Sequence, residues 1–227
     1  MTTSPRIPEL CAGDRLTRDE FERRYDAMPH LKKAELIEGV VYVASPVRQV
    51  QHGRPEHMLE RWLVYYEDRT PGLDVGGNVT VRLDLDNEPQ PDLIVRLPEA
   101  AGGRSRTSAD GYIEGPPELV IEVAASSVSY DLHQKLHAYR RNGVLEYLVH
   151  RFDDHEVDWF RLRGGTYEKQ VADGEGVLKS SVFPGLWLDV GALLRADPQA
   201  VKATVERGCA TADHAAFVAR LTGMHSG

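Results

Sequence analysis

The sequence predicts a globular α/β domain, and three observations carry the prediction. Short runs rich in β-branched residues recur along the chain. Stretches with apolar residues three and four apart separate them, as helices require. One nearly continuous apolar run, ELVIEVA at 118–124, suits a central strand covered on both faces. A hydrophobic fraction of 41% over 227 residues is enough to fill a core.

The elements follow in order. Residues 1–33 form an N-terminal appendage with Pro5, Pro8 and Pro29. Within it, Thr17 and Glu20 have the spacing of a capping box that opens a short helix through Met28. ELIEGVVYV at 35–43 reads as a strand pair or bent strand, with Gly39 at the turn or bulge. Met58, Leu59, Trp62, Leu63 and Tyr66 place a helix over 54–67. Val79, Val81, Leu83 and Leu85 alternate with polar residues, which predicts a half-buried strand. Asp86, Asn87 and Glu88 would turn it back into a strand through Leu93, Val95 and Leu97. A Gly- and Pro-rich loop covers 98–117, and a helix runs from Ser129 to Asn142, stopped by Gly143. Strands follow through 144–171. Residues 172–195 are a loop and a final short segment, and 196–227 form a C-terminal helical tail. The core domain is thus expected over 34–195.

Charge narrows the function. The formal net charge of -8 excludes a basic nucleic-acid coat, although an enzyme that meets phosphate through a bound cation remains open. Cys11 and Cys209 show neither thiol-metal spacing nor a disulfide framework, which fits a reducing cytoplasm. The N-terminus lacks the pattern of a signal peptide, and no apolar run approaches the roughly 20 residues of a membrane helix. No Walker or dinucleotide glycine loop is present, so no nucleotide cofactor is expected.

Two acids stand where acids are costly. Asp92 follows Pro91 at a strand start, and Glu122 lies inside the apolar run. A carboxylate there loses hydration worth several kcal/mol, on the order of a buried charge, unless it is paired or bound to metal. Alternation puts Asp92 on the face of Ile94, and Glu122 on the face of Val120 and Ala124. If the two strands are neighbours, both carboxylates meet at one edge and suit Mg²⁺. The competing reading pairs Glu122 with Arg82 or Arg96.

An ordered set of short motifs surrounds these acids. It runs Glu35-Leu36-Ile37-Glu38-Gly39; Pro46 with His52; Gln90-Pro91-Asp92-Leu93; Leu119-Val120-Ile121-Glu122-Val123; Asp131 with Lys135-Leu136 and Tyr139; and Gly143-Val144 with Glu146-Tyr147. In this order the set resembles the Uma-two family of restriction endonuclease-like proteins, over residues 34–195. The resemblance implies a PD-(D/E)XK nuclease core, a restriction-endonuclease-like mixed β-sheet flanked by helices. It implies Asp92 and Glu122 as metal-binding pair, with the Val123 carbonyl as a further ligand for Mg²⁺ or Mn²⁺. Glu38 or Glu35 would supply an additional acid, with Gln90 in support.

The chain departs from the general nuclease motif at Ala124, where a lysine is expected two residues after the strand glutamate. Lys135 from the following helix is the candidate replacement, as a point charge on the phosphate or attacking hydroxide; the alternative is an exposed pair with Asp131. The loop Ala125-Ser126-Ser127-Val128 also differs from the family's usual Ser-Pro-Ser-Thr-like stretch. His52 would bond a site carboxylate or cap the helix after it. His133 and His137 are four apart but lack the glutamate of a zinc-protease motif. Arg104 and Arg106 could touch a DNA backbone or lie solvated in their loop. Trp62, Trp159 and Trp187 read as core. The tail, with Glu206, Cys209 and His214, would pack on the core or mediate dimerisation.

The expectation is a metal-dependent endonuclease cutting DNA, for which a homodimer would suit cleavage of both strands, with Asp92, Glu122, Lys135 and Glu38 as catalytic residues. The rival is a catalytically inactive nuclease-fold interaction module.

Overall fold

The computed structural model describes residues 6–43, 49–125 and 127–223. Pro5, Pro46 and Ser126 lie outside the described residues. Chain order is α1 (Arg18–Asp26), β1 (Ala34–Ile37), β2 (Val40–Val43), α2 (Arg54–Glu67), β3 (Asp74–Gly77), β4 (Val81–Arg82), β5 (Leu93–Arg96), β6 (Arg106–Thr107), β7 (Ile113–Glu114) and β8 (Leu119–Ala124). Then come a helical rod α3 over residues 128–141, β9 (Glu146–Arg151), β10 (Glu156–Arg163), β11 (Thr166–Lys169), β12 (Val177–Lys179) and β13 (Trp187–Asp189). Three helices close the chain: α4 (Val190–Leu194), α5 (Pro198–Cys209) and α6 (Ala212–Gly223).

The central sheet has six strands in the order β11-β10-β9-β8-β5-β3. Only β8 and β9 run parallel; the other ladders are antiparallel. The sheet is therefore mixed and α3 is its crossover helix, as a parallel connection demands. β8 occupies the middle because its residues are apolar on both faces. Leu119, Ile121 and Val123 pack with Leu59, Trp62, Leu63 and Tyr66 of α2. Val120 and Ala124 pack with Ile94, Tyr139, Tyr147 and Val149 on the α3 side. The β1–β2 hairpin sits outside this sheet and forms a third cluster with α1 through Phe21, Leu36 and Val41.

The C-terminal helices are joined to α2. Trp62 Nε1 donates to the Trp187 carbonyl at 2.9 Å, and the Tyr66 hydroxyl donates to the Pro184 carbonyl at 2.9 Å. Burying each of these aromatic bodies stabilises by about 1.5–3 kcal/mol, and the two hydrogen bonds fix where the segment lands.

Two sequence expectations are corrected. Thr17 is the N-cap of α1 but makes no side-chain cap bond; Glu20 instead accepts from Arg23 and Arg24, and these charge-assisted bonds hold it away from the helix start. The strand over 79–85 shrinks to β4, and β5 does not return against it. β4 closes locally, with Val81 N–H donating to Pro89 and Leu83 N–H to Asn87. It then lies parallel to β7, so the Gly-rich stretch 98–117 contains strands. Pro89 and Pro91 have no N–H to continue a ladder, which frees β5 to pair with β3 and β8. Leu85, expected half-buried, is exposed.

Gly208 of α5 presses on the backbone of Gly185, and a Cβ there would lie 2.2 Å from the Gly185 carbonyl oxygen. Gly208→Ala should therefore lower stability by about 1–3 kcal/mol in urea denaturation. Buried Glu88 faces the Glu22 carboxylate, and desolvation with that neighbour pushes its pKa up to about 8. Across the window from the ordinary 4.5 to about 8 the folded chain keeps a proton that the unfolded chain releases, so stability falls as pH rises. Glu88→Gln should remove that fall. Urea midpoints should show little difference from wild type near pH 4 and a growing gain for the variant up to pH 9.

Candidate active site

The end of the β5–β8 ladder builds the centre of the site. Leu93 faces Ile121, so one step further Asp92 comes opposite Glu122. Backbone pairing stops here, and the Asp92 side chain takes over: its Oδ2 accepts the Val123 N–H at 2.7 Å. In an extended strand a residue's carbonyl leaves on the side of its N–H, so the Val123 carbonyl is directed to the same edge. Asp92 and Glu122 are 2% and 3% exposed.

β1 and α3 complete the cluster. Lys135 Nζ lies 2.8 Å from Glu122 Oε1, 2.9 Å from Glu35 Oε1 and 3.9 Å from Asp131 Oδ1, and the residue is 3% exposed. Residues Asp131–Lys135 form a π-helical turn inside α3, a local widening often found at functional sites. Both Asp131 and Lys135 are buried by it. One turn on, the Tyr139 hydroxyl donates to the same Glu122 Oε1 at 2.9 Å. Ser127 Oγ donates to Asp131 Oδ2, and the Gln90 N–H donates to Glu35 Oε1 at 2.7 Å. Glu122 Oε1 thus receives two donors, while none reaches Oε2 among the described residues. The buried Tyr130 hydroxyl beside Lys135 also has no partner there.

Asp92 Oδ1 faces two part-exposed cations. His52 Nε2 stands 3.3 Å from it and Lys33 Nζ 3.6 Å. His52 lies in the π-helical turn Gln49–Gly53 before α2, where Gly53 is the N-cap; the histidine bonds the site carboxylate instead of capping.

The structure brings together Glu35, Asp92, Glu122, Lys135, His52 and Gln90, but not Glu38. Glu38 occupies the β1–β2 turn with φ 52°. Its N–H donates to Asn87 Oδ1, and its exposed carboxylate pairs with Arg141 at 2.9 Å. Glu35 stays on β1 and points into the cluster, whereas Glu38 lies beyond the strand in the turn. Lys135 is near Asp131, but buried with it rather than exposed. Arg82 pairs with Glu22 and Asp110, and Arg96 with Asp74, so neither neutralises Glu122. His133 and His137 are exposed. Lys33 was missed; its alternation with Glu35 just before a strand was the available signal.

Electrostatics divides the site. Burial raises the Glu122 carboxyl above its ordinary range; Lys135 opposes this, and Asp92, Asp131 and Glu35 add to it. Burial likewise raises Asp131. At Lys135 burial works against the charge, but the carboxylates of Glu122, Glu35 and Asp131 outweigh it and keep the ammonium charged. At Asp92 burial is outweighed by His52 and Lys33 with the Val123 N–H, which hold it below the usual range. His52 is raised in turn, chiefly by its bond to Asp92.

The donor set fits a hard cation. Among the described residues no cluster of three or more His, Cys, Asp or Glu is arranged to hold a metal by itself. A pair of carboxylates with a free Glu122 oxygen suits an ion that takes its other ligands from water and substrate phosphate. Asp92 and Glu122 would hold it.

Comparison with known proteins bears on the family and the fold. Residues 18–191 match the family model Uma2, described as "Putative restriction endonuclease". The chain is also similar to a crystal structure from Anabaena variabilis described as "a putative nuclease belonging to DUF820". The TM-score is 0.56 at 18% identity, covering 79% of this chain and 98% of that one. At such identity the likeness speaks for the fold. No curated protein matches.

Lys135→Met should leave Glu35 and Glu122 buried without their cation, at a cost of about 3–5 kcal/mol near neutral pH. The loss should shrink as pH falls and the carboxylates take up protons. Urea titrations at several pH values check both the size and its direction.

Proposed function

The chain belongs to the Uma2 family of restriction endonuclease-like proteins, and from that premise we propose that it is a Mg²⁺- or Mn²⁺-dependent endonuclease hydrolysing DNA phosphodiester bonds. One observation carries the reading: Asp92, just before β5, and Glu122, within β8, come opposite each other where the β5–β8 ladder ends, both buried, with one Glu122 oxygen left free of hydrogen bonds among the described residues.

Bound between them, the cation would polarise the scissile phosphate and supply a hydroxide nucleophile near neutral pH. The remaining work belongs to the chain. The Val123 N–H orients Asp92 through Oδ2 and leaves Oδ1 to face His52 and Lys33. Lys135 and Tyr139 hold Glu122 Oε1, which fixes the rotation of the carboxylate and directs Oε2 as a ligand. Glu35, anchored by the Gln90 N–H, shares the ammonium and limits its movement. Lys135 is on this reading a positioning residue, because its charge is spent on carboxylates. Cutting both strands of a duplex favours a two-fold dimer. The free cysteines, Cys11 and Cys209, suit a cytoplasmic setting.

A second reading is a nuclease-fold interaction module without catalysis. Ala124 in the motif's lysine position, together with the enclosed Lys135, favours it.

Plasmid nicking and Mg²⁺ calorimetry separate the two. Wild type should bind and nick, whereas Asp92→Asn and Glu122→Gln should lose Mg²⁺ binding and at least about 100-fold in nicking rate while remaining folded by circular dichroism. Undiminished nicking in either variant would overturn the assignment. A wild type that neither binds nor nicks would favour the module.

A further inference from the structure

We infer that Lys33 is the residue that meets the substrate's phosphate backbone, a role Lys135 cannot fill. The inference rests on the nuclease reading and adds to it the contact that receives the nucleic acid. A chain of net charge -8 needs local cations where a polyanion is to approach. Lys135 is enclosed, with its ammonium within 3 Å of both Glu122 and Glu35. Other cations at or behind the sheet edges are committed to acids: Arg82 to Glu22 and Asp110, Arg96 to Asp74, Arg106 to Glu114, and Arg151 to Asp154 and Asp158.

Lys33 differs in three ways. Its side chain is 24% exposed, against 3% for Lys135. Its ammonium stands 3.6 Å from Asp92 Oδ1, beyond hydrogen-bond length, and makes no hydrogen bond among the described residues. Three N–H donors are therefore available. They sit beside Asp92 Oδ1 next to His52, and these two part-exposed side chains are the solvent side of the buried carboxylate, from which a phosphate bridged to Asp92 would approach. The simpler role, a counter-ion for Asp92 alone, would leave nucleic-acid binding indifferent to this side chain.

Fluorescence anisotropy with a short fluorescein-labelled DNA duplex tests the point. Binding is measured from about 50 to 200 mM salt, once with Ca²⁺ and once with EDTA, on wild type, Lys33→Gln, Lys33→Arg and Lys32→Gln. Lys32 is the exposed neighbour and controls for diffuse charge. Lys33→Gln should weaken binding about fivefold at the lowest salt, and make the plot of log K against log salt shallower by about 0.9. Lys33→Arg should keep the wild-type slope, and Lys32→Gln should change it less than Lys33→Gln. Thermal unfolding of each variant reports folding separately. Wild-type affinity and slope in Lys33→Gln would overturn the inference. So would equal losses in Lys32→Gln, or a lost slope in the arginine variant. A wild type that binds no duplex in either buffer would overturn the nuclease reading together with it.

Discussion

One buried ammonium joins three elements that otherwise belong to different parts of the molecule. Lys135 reaches from α3 to Glu122 in the central sheet and to Glu35 in the separate β1–β2 hairpin. The hairpin's other ties lie around this ammonium: its backbone meets Glu88 through Leu36 and Asp86 through Gly39, the Gln90 N–H holds Glu35, Glu38 meets Asn87 and Arg141, and Tyr42 packs on Tyr130. Without the ammonium, two carboxylates would face each other out of water, and that is unfavourable enough to force the hairpin away or a proton on. The positions of Glu35, Glu122 and Asp131 therefore depend on one cation that the three share, while Asp92 has Lys33 and His52 beside it.

The same cluster has a closed half and an open half, and their chemistry differs. In the closed half Lys135, Tyr139 and Ser127 satisfy carboxylate oxygens at 2.6–2.9 Å. In the open half Asp92 Oδ1 meets its cations only at 3.3 and 3.6 Å, and Glu122 Oε2 meets no donor among the described residues. Tight bonds hold the carboxylates still, while the loose ones leave lone pairs uncommitted. On the proposed nuclease reading, that division would preorganise the pair for a hard cation.

Much of this was legible in the residues. Glu122 announced itself as the one charge inside LVIEVA, because desolvating a carboxylate is costly enough to need a reason. Alternation put Asp92 and Glu122 on the faces where they are found. Glu35 and Glu38 were harder to tell apart. Both are acids in the same short run ahead of Gly39, and only the turn's location shows which one stays on a strand; Asn87 fixes that turn by accepting the Glu38 N–H. The 79–85 strand misled for a related reason. Its alternation is real, but Pro89 and Pro91 block the ladder that would have used it. Tertiary placement of Lys33 and of the C-terminal helices depended on contacts far apart in sequence, such as Trp62 with Trp187, which local patterning does not encode.

Ala124 and Lys135 together have a consequence for how such sites are searched for. A lysine at 124 would project from the same face of β8 as Glu122; instead a methyl group stands there, and the ammonium arrives from a helix eleven positions further along. A linear pattern that demands the lysine two residues after the glutamate passes over this chain. A three-dimensional query built from side-chain tips, asking for an ammonium nitrogen within 3 Å of a strand carboxylate that neighbours a second one, retrieves it. In this chain the ammonium beside the strand glutamate comes from a helix and not from the strand itself.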